Sequence, residues 1–143
     1  MRRSPSLSRT TLLILGFALW FAGCSGNPIA TSGTVSVAQT LERQQSGGVL
    51  LDVRTQGEYQ QGHALGAHLV PWVDGRGRPN PDFFDQVARI ATPDQDVLVI
   101  CQTGNRSAQA ARALQQRGYG SVVNVLGGSI TWRSKGLPWE GVR

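Results

Sequence analysis

The chain has 143 residues, 40% hydrophobic and 16% charged, with 18 Gly and 7 Pro; this leaves room for one ordinary domain with a tail and excludes a disordered chain or a collagen-like repeat. Its two cysteines, Cys24 and Cys101, are too few for a disulfide scaffold or for the paired ligands of a structural zinc site. Three of the 14 basic residues, Arg2, Arg3 and Arg9, precede an apolar stretch, and the remainder carries 11 basic against 9 acidic residues spread along the chain, so the net charge of +5 does not point to a nucleic-acid partner.

Residues 1–23 read as an export signal. Arg2, Arg3 and Arg9 form its positive region, and Leu12 to Ala22 form an apolar run shorter than the ~20 residues that span a bilayer. The closing Phe21-Ala22-Gly23-Cys24 resembles the lipobox of bacterial lipoproteins, with Phe21 where that pattern usually has Leu. The resemblance implies a mature chain beginning at a lipid-modified Cys24, anchored to a membrane of the bacterial cell envelope and facing the periplasm. Cys101 is then the one free thiol of an exported chain, which suggests chemistry rather than structure. The small, polar residues 24–33 read as a flexible tether, and the domain is expected over 34–143.

Within the domain, Ser36 and Gln39 have the spacing of a capping box for a helix to about Gln45, ended by Gly47-Gly48. Val49 to Val53 is a continuous apolar run of strand length, as expected for a strand covered on both faces. Thr55 and Glu58 make a second capping box before a short helix stopping at Gly62, and Ala67 to Val70 is a short strand closed by Pro71. A Gly/Arg loop follows over Val73–Pro79. Asn80-Pro81 predicts a helix to about Ile90, and Thr92-Pro93-Asp94 a turn. Val97 to Ile100 is the most apolar strand, Ser107 to Arg117 a helix of good formers ended by Gly118, and Val122 to Leu126 the last strand; Gly127-Gly128 then turns the chain into a final helix from about Ile130. Strands alternating with helices predict an α/β fold, a parallel sheet with helices on both faces.

The segment Cys101-Gln102-Thr103-Gly104-Asn105-Arg106-Ser107 joins the strand 97–100 to the following helix. In an open α/β sheet, ligands sit at the carboxyl ends of strands. A short strand-to-helix turn points backbone N–H groups inward as a nest, and the helix adds its positive end. A thiol there is expected to ionise near neutral pH. A lone cysteine is more often a small buried hydrophobe, but Gly104, Arg106 and Ser107 in the same loop favour an anion site.

Several separated motifs make the domain resemble a single-domain rhodanese, a sulfurtransferase. They are Leu51-Asp52-Val53-Arg54 with Glu58-Tyr59, then Gly62-His63-Ala64-Leu65-Gly66-Ala67 with Ala64 where Ile is usual, the loop Cys101 to Ser107, and Gly127-Gly128 followed by Trp132 and Gly136-Leu137-Pro138. The resemblance implies a three-layer α/β/α fold around a central, mainly parallel sheet of about five strands. It implies that Cys101 takes a sulfane sulfur from a small anionic donor such as thiosulfate, holds it as a persulfide, and passes it to cyanide or a thiol. Residues 102–107 would form the binding loop, and neither metal nor organic cofactor is required. Asp52 would brace the loop through hydrogen bonds or merely cap a turn, and Arg54 would support the site or simply pair with Glu58. His63 reads as structural and Trp132 as core; Trp72 and the Arg76/Arg78 loop stand as possible borders of the site.

Two other readings stay open. Cysteine-dependent phosphatases and arsenate reductases also place a thiolate in a loop ending in Arg, with five residues between the two; here Cys101 and Arg106 enclose four. Some domains of the rhodanese type serve as non-catalytic binding modules, usually without the cysteine.

Overall fold

Adjacent residues of a strand face opposite sides of a sheet, and here both sides are covered. The computed structural model describes residues 31–141. In chain order the elements are β1 (Thr31–Val35), α1 (Val37–Gln45), β2 (Val49–Asp52), α2 (Gln56–Gln60), β3 (His63–Ala64), β4 (His68–Leu69), α3 (Phe83–Ala88), β5 (Asp96–Ile100), α4 (Asn105–Gln116), β6 (Ser121–Val125), α5 (Gly128–Ser134) and β7 (Trp139–Glu140). The strands β1-β6-β5-β2-β4 form one sheet in that order, with every pairing parallel. On one face Leu51, Val97, Val99 and Val122 pack with Phe83 and Val87 of α3 and with Ala110 and Leu114 of α4. On the other, Leu50, Leu98, Ile100, Val123 and Val125 pack with Val37 of α1 and Trp132 of α5. The continuous apolar runs are thus strands buried on two sides, and the three-layer α/β/α architecture follows.

Local signals place most boundaries. The Ser36–Gln39 and Thr55–Glu58 capping boxes both form, each with its side-chain and backbone bonds reciprocated. Trp132 is fully buried in the core, its Nε1 donating to the Pro138 carbonyl.

Several expectations change. Residues 31–33, expected to belong to the tether, are instead part of the edge strand β1 (Thr31–Val35), paired along its whole length with β6; an edge strand needs little apolar pattern, since its pairing is through the backbone. The export signal and Cys24 lie outside the described residues. Helix α3 starts at Phe83, since Asn80 spends its side chain on the Pro71 carbonyl, the Asp82 N–H and Gln86. Helix α4 begins at Asn105, two residues before its expected start at Ser107, because Gly104 takes a left-handed conformation (φ 107°) and turns the chain directly into the helix. The pairing of β3 with β7 joins residues far apart in sequence and had no local signal.

Candidate active site

The site lies at the carboxyl edge of the parallel sheet, where β5, the middle strand, runs out at Ile100. Its neighbours β2 and β6 end beside it, delivering Asp52-Val53-Arg54 and Leu126-Gly127-Gly128 to the same edge. Cys101 follows β5 immediately and is almost fully buried. The Gly104 N–H donates to its Sγ at 3.1 Å, and the Ser107 hydroxyl lies 3.2 Å from it. Burial alone pushes the thiol pKa up, but hydrogen bonds from the Ser107 side chain and from the N–H groups of Ser107, Gly104 and Thr103 outweigh it and hold the pKa below its ordinary value. The first turn of the twelve-residue α4 supplies part of this cradle.

The side chains of Gln102, Thr103 and Asn105 are exposed, while Gly104 and Ser107 are buried. The anion-stabilising power of the loop therefore comes from backbone N–H groups and one hydroxyl, not from a ring of cations. Arg106 meets Glu58 in a two-pronged pair, Nη1–Oε2 2.8 Å and Nη2–Oε1 2.6 Å, and its charge also interacts favourably with the Cys101 thiolate. The Arg106 bonds, opposed by partial burial and helped by Thr55, lower the Glu58 pKa from 4.5 to about 2. A carboxylate depressed in this way adds stability that is present above pH 4.5 and lost as pH falls towards 2.

Of the two readings of Asp52 the structure shows the turn cap, and of the two readings of Arg54 it does not show the pair with Glu58. Asp52, fully buried, makes no bond to the cysteine loop. It accepts from the Arg54 N–H, Nε and Nη2, and Arg54 Nη2 also donates to the Gly62 carbonyl. Arg54 consequently pairs with Asp52 and not with Glu58. This buried pair ties the end of β2 to the turn at Gly62, and a lone charge left there would be costly.

What braces the loop is the Gly127-Gly128 turn. The Ser129 and Ile130 N–H groups at the start of α5 donate to the carbonyls of Cys101 (2.8 Å) and Gln102 (3.2 Å). Asn124 is a residue the sequence reading passed over: its Oδ1 lies 2.6 Å from Ser107 Oγ. A hydroxyl carries one proton, so Ser107 can donate to Asn124 Oδ1 or to Cys101 Sγ but not fully to both at once. No motif marks this role; only the register of β6 beside β5 brings Asn124 to Ser107.

The remaining candidates make no hydrogen bond to the cysteine loop, although Trp72 packs against the core cluster that contains Cys101. His63 stacks on Tyr59 at 3.6 Å and bonds the Tyr59 carbonyl and Glu140. Trp72 packs edge-on against Phe83. The Arg76/Arg78 loop closes on Asp74, which accepts from both their N–H groups and pairs with the Arg78 guanidinium. Among the described residues no group of three or more His, Cys, Asp or Glu side chains could hold a metal ion.

Replacing Ser107 by Ala removes one of the bonds that favour the thiolate while leaving the backbone N–H groups. The midpoint of iodoacetamide alkylation of Cys101 against pH is expected to move upward, and the rate at neutral pH to fall several-fold. An unchanged profile would show that the hydroxyl belongs to Asn124 alone.

Fold and site together define an α/β domain that presents a buried, activated thiol in a backbone anion nest. The rhodanese-like domain family model matches residues 36–135, and the chain belongs to that family. It is 40% identical over 111 residues to thiosulfate sulfurtransferase 18 of Arabidopsis thaliana, covering 73% of this chain and 81% of the relative. It is 37% identical over 95 residues to a sulfurtransferase of Allochromatium vinosum, covering 63% and 76%. Among solved structures it is similar to Rv0390 of M. tuberculosis, with a TM-score of 0.66 and 26% identity over 76% of this chain and 96% of that one. The family and its relatives support a sulfurtransferase-like enzyme.

Proposed function

We propose that the protein transfers a sulfane sulfur from a small anionic donor such as thiosulfate to cyanide or a thiol through a persulfide on Cys101. The observation that carries this reading is the hydrogen-bonded Sγ of Cys101, held by the Gly104 N–H and the Ser107 hydroxyl within the short loop that ends at Arg106. The thiolate attacks the outer sulfur of thiosulfate, the new Sγ–S bond forms, and the old S–S bond breaks with its electron pair leaving on sulfite. An acceptor then attacks the outer sulfur and Sγ departs as thiolate. Dividing the transfer in this way predicts ping-pong kinetics. The loop N–H groups would hold the outer sulfur as an oxyanion hole holds oxygen. The similar proteins of Arabidopsis thaliana, a thiosulfate sulfurtransferase, and of Allochromatium vinosum, a sulfurtransferase, support the donor class.

Incubation of the purified protein with thiosulfate should add the mass of one sulfur atom at the Cys101 peptide, and cyanide should remove it as thiocyanate. Phosphate-ester hydrolysis without sulfur loading would overturn the reading.

The same proposal places the enzyme in the bacterial envelope, lipid-anchored at Cys24 and facing the periplasm. It is supported by the three arginines, the apolar run and the small residues before that cysteine. Radiolabelled palmitate should be incorporated into the wild-type chain and not into Cys24→Ser; an unlabelled wild-type chain cleaved elsewhere would overturn the anchor.

A further inference from the structure

A cleft of about 470 Å³ opens beside the cysteine loop. It is bordered by Gln102, which follows Cys101, and by Ser129, whose N–H holds the Cys101 carbonyl. That volume is several times what a thiosulfate or cyanide ion fills, and it lies within the about 300–1,000 Å³ of small-molecule sites. The charges in its wall are unequal in availability. Arg54 is matched by Asp52, and Glu58 by Arg106. Arg133 is exposed and makes no ion pair among the described residues. Its guanidinium is placed instead over the Trp139 ring, 5.2 Å from the centroid. Stacking on an aromatic face orients a guanidinium while leaving its planar fork of N–H donors free for a carboxylate. The exposed Ile130 in the same wall offers apolar contact for a carbon skeleton.

We infer that this cleft receives the sulfur acceptor, a low-molecular-weight organic thiol bearing a carboxylate, and that Arg133 reads that carboxylate. This rests on the sulfur-transfer reading above. The acceptor thiolate attacks the outer sulfur of the Cys101 persulfide, a new S–S bond forms to the acceptor, and the bond to Sγ breaks with its electron pair returning to Sγ. The products are an acceptor persulfide and the Cys101 thiolate; charge is conserved and no oxidant or reductant enters. Arg133 takes no part in bond making. Its role is to set which thiol is held in reach.

The test compares 3-mercaptopropionate with 2-mercaptoethanol, which share the thiol and two-carbon chain and differ in the carboxylate, with thiosulfate as donor. Arg133→Gln should raise KM for 3-mercaptopropionate about tenfold or more, as expected for losing a charged hydrogen bond, and change KM for 2-mercaptoethanol by less than about twofold. Arg133→Lys should recover part of the difference. A like change for both thiols, or none for either, would overturn the assignment. Binding is read separately by titrating 3-(methylthio)propionate, which has no free thiol, into the Cys101→Ser protein. The Trp139 indole N–H resonance should shift, and the shift should vanish with Arg133→Gln added. No shift would overturn the acceptor site even in an active enzyme. A shift in a protein whose wild type never loads sulfur would uphold the carboxylate site and overturn the sulfurtransferase reading alone.

Discussion

The Cys101→Ser protein is expected to take up no sulfur from thiosulfate and to lose turnover to background, a fall on the order of 10⁴-fold or more, as for removal of a covalent nucleophile. Everything the loop does for position 101 depends on an ionised sulfur. The Gly104 N–H, the Ser107 hydroxyl and the start of α4 stabilise an anion on Sγ, and together they offset the burial that would otherwise keep the thiol protonated. A serine hydroxyl in the same cradle stays protonated near neutral pH and cannot hold a sulfane sulfur. The fold should be untouched, since the substitution adds no volume and leaves the loop hydrogen bonds available to Oγ. The checking measurements are the mass of the 101-containing peptide after thiosulfate and the rate of thiocyanate formation. Full turnover by this variant would remove Cys101 from the mechanism.

Gly128→Ala should damage the same site from a distance in sequence. Gly128 has φ 56°, and a Cβ built there would lie 2.4 Å from the Cys101 carbonyl oxygen and 2.6 Å from the Gln102 carbonyl carbon. Both carbonyls are backbone, and their oxygens accept from the Ser129 and Ile130 N–H groups, so neither side can swing away. The loop must move. Displacements of about 1 Å at a reacting group can cost about 100-fold in rate, and kcat/KM for thiosulfate is expected to fall by at least that much. Thermal stability should fall as well, by more than the about 1–2 kcal/mol of the left-handed conformation alone. Gly136→Ala is the control: φ there is 66° and nothing lies within 4 Å of the added Cβ, so it should carry the conformational penalty and keep its activity. Wild-type kinetics in Gly128→Ala would mean that the turn does not position the loop.

The anion nest was legible before the structure because its cause is local. An apolar run ending at Ile100, a cysteine, a glycine and a helix-forming stretch in immediate succession can hardly avoid placing a thiol at a strand end before a helix N-terminus. The capping boxes at Ser36 and Thr55 were legible for the same reason: their donors and acceptors lie three residues apart. The alternation of strands and helices determined the layers, since a strand apolar on both faces must be covered on both.

Tertiary structure alone decided which charges meet. Spacing of four residues made Arg54 and Glu58 natural partners, yet each found a different one, Asp52 and Arg106. Backbone turns at the sheet edge, and not separation along the chain, fix which side chains face each other there. In the same way β1 and the β3–β7 ribbon form through backbone pairing between segments distant in sequence, which leaves no periodic pattern to read. The loop's support from Gly128, its coupling to Asn124 and the cleft holding Arg133 and Trp139 all arise where β5, β6 and α5 converge. The residues determined that a thiol would stand at a strand end before a helix. Packing determined what surrounds it, because burial and carbonyl direction are properties of the assembled sheet.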